Sequence, residues 1–162
     1  MVRQGPLKPP CDGSIPSSPA RKFMYLFPVE VRPSTVEGNG VFVLCDVKKG
    51  EIAWKYTLGH DKALSLEEYD RLDDAGKKQI EKVAYLSATS RQYIFPPEND
   101  PALYTNHSQK HHNLSVVIDK GISSEPYFVA NRDIKAGEEF TNNYHEFDTA
   151  IATLEKKPDW LK

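Results

Sequence analysis

Ala130-Asn131-Arg132-Asp133-Ile134-Lys135-Ala136-Gly137-Glu138-Glu139-Phe140-Thr141, running on to Tyr144, is the stretch on which the fold assignment turns. Within it Lys135-Ala136-Gly137-Glu138 has the composition of a turn, and it follows a short β-prone run at Tyr127–Ala130. Working back along the chain, Tyr104-Thr105-Asn106-His107-Ser108 leads to Asn113. Further back, Gly38-Asn39-Gly40-Val41-Phe42 is followed by Gly50-Glu51-Ile52 and Tyr56. Each block has an ordinary reading. Gly38 and Gly40 suit a tight turn whether or not a ligand approaches. Asn106-His107-Ser108 and Asn113-Leu114-Ser115 both fit the N-glycosylation sequon. A lone Tyr144 would be a core or rim tyrosine.

The sequence around these blocks is strand-rich. Val29 and Val31 alternate with Glu30 and Arg32, and Val41-Phe42-Val43-Leu44 is an apolar run after the Glu37–Gly40 turn. After Lys48-Lys49-Gly50, alternation resumes over Glu51–Tyr56. Short strands are predicted at Tyr93–Phe95, Leu114–Ile118 and Tyr127–Ala130. Between them Ser65-Leu66-Glu67-Glu68 is a capping box, predicting a helix to about Leu72. A second helix is predicted over Asp74–Leu86, with Ile80, Val83, Ala84 and Tyr85 toward the core. Residues 1–22, with Pro6, Pro9, Pro10, Pro16 and Pro19, read as a flexible tail. Asp148–Lys157 is predicted to be a C-terminal helix. The fold class is therefore mainly β, α+β, with one small helical insertion.

With 162 residues the chain has room for one domain and its core. A net charge of −2 argues against capture of nucleic acid by overall field. No apolar run is long enough to span a bilayer, and Met1–Ala20 is polar rather than signal-like, so an intracellular, soluble protein is expected. Cys11 and Cys45 are the only cysteines, too few for a disulfide framework or a four-thiolate zinc site. His107 and His111 stand four apart, a spacing that metal sites use on helices, but Asn106–Asn113 is polar and loop-like and brings no third ligand. The expectation is no metal.

Taken in order, the three blocks resemble the SET family of protein-lysine methyltransferases: a G-x-G turn, an N-H-S loop, then G-E-E-F-T-x-x-Y. The resemblance covers residues 23–147, with the helical insertion at about 57–90 and residues 148–162 left to close the site. It implies small β-sheets around a pseudoknot, in which the Asn106–Ser108 loop and the C-terminal segment cross. It further implies S-adenosylmethionine as cofactor and a lysine-bearing protein or peptide as substrate, with a histone tail the default by analogy. A nuclear location would follow for a eukaryotic host. By the same resemblance Gly38, Asn39, Gly40, Asn106 and His107 bind the cofactor. Tyr144, which also contacts the cofactor, is the catalytic channel tyrosine that orients the amine and helps polarise the methyl, and Tyr56 is a second catalytic channel aromatic. Trp160 either stacks on the adenine, caps the channel or packs on the core.

This chain departs from the family in places. Gln109-Lys110-His111-His112-Asn113 lacks the usual Cys and Pro after N-H-S and is one residue longer, which leaves the correspondence of Asn113 open. The arginine common before N-H-S is replaced by Leu103 and Tyr104. Asn143 stands where an Asp precedes the final tyrosine, and Asn142 where the family often has Phe or Tyr. The competing reading is a SET-like module that holds cofactor or a partner without turnover.

Overall fold

The computed structural model describes residues 25–148; the tail at 1–22, the predicted C-terminal helix and Trp160 lie outside the described residues. Among the described residues ten short strands form three sheets. β1 (Val29–Pro33) and β2 (Asn39–Val43) make a hairpin across the Gly38 turn. β3 (Ile52–Trp54) and β4 (Lys62–Ser65) follow, then α1 (Leu66–Asp70) and α2 (Asp74–Val83). β5 (Tyr85–Leu86), β6 (Gln92–Phe95), β7 (Asn106–His107), β8 (Leu114–Val117), β9 (Tyr127–Ala130) and β10 (Glu139–Asn142) are the remaining strands of the described residues.

The first sheet has the order β1-β2-β10-β7, the second β3-β9-β8 and the third β4-β6-β5. In the first, β10 pairs antiparallel with β2 and parallel with β7, placing Thr141 opposite Asn106 and Asn142 opposite His107. A parallel neighbour requires a long crossover rather than a hairpin. Here β8 and β9 make that crossover, so the N-H-S segment and the C-terminal strand lie side by side. This is the crossing that the family resemblance predicts.

The core lies between the first two sheets. Val41, Val43, Val47, Ile134 and Phe140 are fully buried, with Trp54, Leu114 and Phe128 beside them. The apolar run that predicts a strand at β2 thus places Val41 and Val43 inward, with Phe42 between them only half-buried.

The insertion differs from its sequence reading. The capping box forms, with Glu68 N–H donating to Ser65 Oγ (3.1 Å) and Ser65 N–H to Glu68 Oε2 (2.8 Å). α1 stops at Asp70, however, and α2 at Val83, where Ala84 turns extended. Tyr85 and Leu86 then pair with Ile94 and Tyr93 of β6. The insertion therefore carries a sheet as well as two helices. Among the described residues, no helix is long and apolar enough to cross a membrane.

Candidate active site

Strand pairing brings the three sequence blocks to one place. Ser34 N–H donates to Gly38 O (2.8 Å) and closes the turn, and Gly38 takes φ +45°, a conformation open to glycine without a Cβ penalty. At Gly40 the demand is space. A Cβ there would stand 2.1 Å from Glu139 Oε1 and 3.1 Å from Ser34 Cβ. Glu139 in turn accepts from Ser34 Oγ and from Asn106 Nδ2 (2.8 Å). The same Asn106 amide reaches Glu37 O (3.0 Å) and Asn39 O (3.1 Å). Asn106 thus ties the glycine turn, the N-H-S strand and β10 together. Its Oδ1 has no hydrogen bond among the described residues and remains available as an acceptor.

His107 and Tyr144 form the next layer. The Tyr144 N–H donates to His107 Nδ1 (3.1 Å), and the two rings pack at 5.0 Å. An accepting Nδ1 carries no proton, so the neutral ring has its hydrogen on Nε2. The Tyr144 hydroxyl donates to Thr105 O (2.6 Å), because a carbonyl can only accept. Burial, then Glu37 and Asp148, push its ionisation well above the ordinary phenol range. Tyr144 is a neutral hydroxyl near neutral pH, not a phenolate base.

Beside Tyr144 lies a cavity of about 100 Å³ with aromatic walls, among them Trp54, Tyr85, Phe128 and Phe147. These rings meet edge to face: Trp54–Phe128 at 5.0 Å, Phe128–Phe147 at 4.8 Å, Tyr85–Phe147 at 5.3 Å. Such rings present electron-rich faces that attract a cation. Two buried polar atoms of lining residues, Tyr85 Oη and Asn142 Oδ1, have no hydrogen-bond partner among the described residues. Buried polar groups are nearly always paired, so both invite a polar ligand atom.

Tyr56, expected as a channel aromatic, follows β3, is half-buried and is not among the residues lining this cavity. It stands near Tyr85, whose ionisation is raised by burial first and then by Glu125, Asp61 and Tyr56. Tyr85, Trp54 and Phe147 were missed as site residues. The helical spacing of Ile80, Val83 and Ala84 predicts a helix face for Tyr85, whereas α2 ends at Val83 and Tyr85 lies in β5. In the histidine-rich loop, His112 Nε2 lies 3.1 Å from Glu146 Oε1 and the His111 N–H bonds Ser108 Oγ (3.1 Å).

Asp61 is buried, with Oδ2 accepting from Thr57 N–H (2.6 Å) and Oδ1 without a hydrogen bond among the described residues. Burial is the largest influence and raises it from 3.8 to about 6. A raised folded value means that its contribution to stability is full below the unfolded value and lost as pH climbs through about 6. Asp61→Asn should therefore stabilise the protein at about pH 8 by on the order of 1 kcal/mol, allowing for solvent screening, and change little near pH 4. Thermal melts of both proteins across pH check this; a difference independent of pH would contradict it.

The family model of the SET domain matches residues 38–145. The chain belongs to the SET-domain family. The match runs from the glycine turn to the residue after Tyr144, taking in all three blocks. Solved structures with similar architecture include a candidate histone methyltransferase of Plasmodium falciparum. It is 21% identical, with a TM-score of 0.50 over 73% of this chain and 93% of that one. CpSET8 from Cryptosporidium is 20% identical with a TM-score of 0.54, covering 74% of this chain and 58% of that one. At these identities the likeness is one of fold. No curated protein matches the chain at a significant level.

Proposed function

We propose that this SET domain transfers methyl groups from S-adenosylmethionine to the side-chain amine of a protein lysine. The observation that carries the proposal is one arrangement. The Gly38–Gly40 turn is bonded to Asn106, the adjacent His107 packs on Tyr144, and Tyr144 lines an aromatic cavity. The residues present suit the cofactor: Asn106 keeps an open carboxamide oxygen for the amino group of its methionine part, beside the backbone of the glycine turn. S-adenosylmethionine supplies an electrophilic methyl on a sulfonium.

The chain's own residues then have two tasks. The first is to deliver a neutral amine. Free lysine titrates near ~10.4, so roughly one in a thousand is neutral at neutral pH. The walls of Trp54, Phe128 and Phe147 exclude water and penalise the ammonium, which lowers that value. The second task is alignment. With its proton held by Thr105 O, the Tyr144 oxygen has only lone pairs to offer, and it accepts an N–H of the amine. Tyr85 Oη and Asn142 Oδ1 offer further polar contacts. Orientation of this kind, without a dedicated side-chain base, can supply most of the acceleration. A histone tail is the substrate by analogy with the Plasmodium protein's name.

Calorimetric titration with S-adenosylmethionine and with its demethylated product tests the reading without knowledge of the substrate. One-to-one binding of both, followed by labelled methyl transfer to lysine in basic peptides, is the expected result. Folded protein that binds neither would overturn it and leave a scaffold that engages partners.

A further inference from the structure

Tyr25 lies thirteen residues before the start of the SET match, yet it reaches the centre of the site. It is 6% exposed, bridges to Trp54, stacks on Phe140 at 5.3 Å and 13°, and lines the same cavity as Tyr144. Its hydroxyl is 2.6 Å from Thr105 Oγ1. The direction of that bond follows from counting protons. Thr105 has a single hydroxyl hydrogen, which goes to Ala102 O (3.0 Å). Tyr25 must therefore donate and Thr105 accept.

Thr105 is then held from three sides. Its hydroxyl is fixed between Tyr25 and Ala102, its N–H also donates to Ala102 O (3.2 Å), and its carbonyl receives the Tyr144 hydroxyl. The carbonyl sets where the Tyr144 proton points, and so which lone pairs face the cavity. A hydroxyl that can rotate would spend part of its time turned away from the amine.

We propose that Tyr25 is a positioning residue for Tyr144, acting through Thr105, so that a segment preceding the family match completes the active site. The proposal rests on the methyltransferase reading for its effect on turnover, but the coupling itself can be observed without turnover. Burial, offset by the Thr105 bond, keeps the Tyr25 hydroxyl protonated well beyond the ordinary phenol range, so the donation persists at all working pH.

Tyr25→Phe keeps the ring and its stack on Phe140 while deleting the donor. Thr105→Val keeps the shape and deletes the acceptor. Each should lower kcat about ten-fold, with KM for cofactor and peptide within about two-fold. The double variant should be no worse than either single one, because both remove one link. Thr105→Ser, which restores the hydroxyl, should recover most of the rate. In protein carrying 13Cζ-tyrosine, the Tyr144 resonance, assigned through Tyr144→Phe, should move in Tyr25→Phe.

A kcat within two-fold of the parent in both single variants, or a stationary Tyr144 resonance, would overturn the proposal. So would additive losses in the double variant, which would mark two independent packing defects. If the parent chain methylates no lysine while the resonance still moves in Tyr25→Phe, the coupling stands and the methyltransferase reading falls. Should Tyr25→Phe fail to fold, Thr105→Val and Thr105→Ser carry the same comparison.

Discussion

Tyr144→Phe should lower kcat by roughly 10²–10³-fold while leaving the dissociation constant for S-adenosylmethionine within about two-fold, as for loss of one preorganised polar contact in an active site. The ring is retained, so its packing on His107 and Phe147 and the backbone bond to His107 Nδ1 persist. Only the hydroxyl is lost. Thr105 O, its partner at 2.6 Å, is left without that donor, so a small drop in melting temperature should accompany the kinetic effect. Steady-state kinetics beside calorimetry separate the two consequences. Unchanged turnover in the variant would remove Tyr144 from the reaction.

Asn113→Ala should cost about 3 kcal/mol of folding stability. Asn113 is 2% exposed, and both ends of its carboxamide are used on β10. Oδ1 accepts from Thr141 N–H (2.9 Å) and Nδ2 donates to Glu139 O (2.7 Å). Alanine leaves both backbone groups buried and unpaired, at about 1–3 kcal/mol each. Because Glu139 is the residue that Asn106 and Ser34 grip, the loss should also loosen the glycine turn and weaken cofactor binding. Urea unfolding checks the stability: the midpoint should fall with the slope unchanged. A change below about 1 kcal/mol would mean that β10 finds other partners for those groups.

Asn113 also illustrates what the sequence could and could not say. The lengthened Gln109–His112 loop left its correspondence open, because loop length hides register. Folded, it joins β10 by side chain and backbone alike, with its own N–H on Thr141 O (3.2 Å). The three blocks themselves were legible, since Gly, Asn, His and Tyr in that order carry specific geometric demands. The insertion was only half legible. Its capping box is a local device and forms as read. The end of α2 is not local: Ile80, Val83 and Ala84 have helical spacing, and nothing nearby tells Tyr85 to leave the helix for Trp54 and Phe147. Strands of two residues such as β5 and β7 exist only through their partners. Tyr25 was hidden for the same reason, its decisive bond lying eighty residues away.

The order β1-β2-β10-β7 has a consequence for how the protein is made. A ribosome delivers β2 and β7 long before β10, the strand that sits between them. Until Glu139–Asn142 emerges, Val41 and Phe42 offer an open ladder edge, which is what a neighbouring nascent chain would need for mispairing. No working fragment can precede β10, because it carries Glu139 and leads directly into Tyr144. Synthesis must therefore pass Tyr144 before the glycine turn, Asn106 and His107 can be joined into one site.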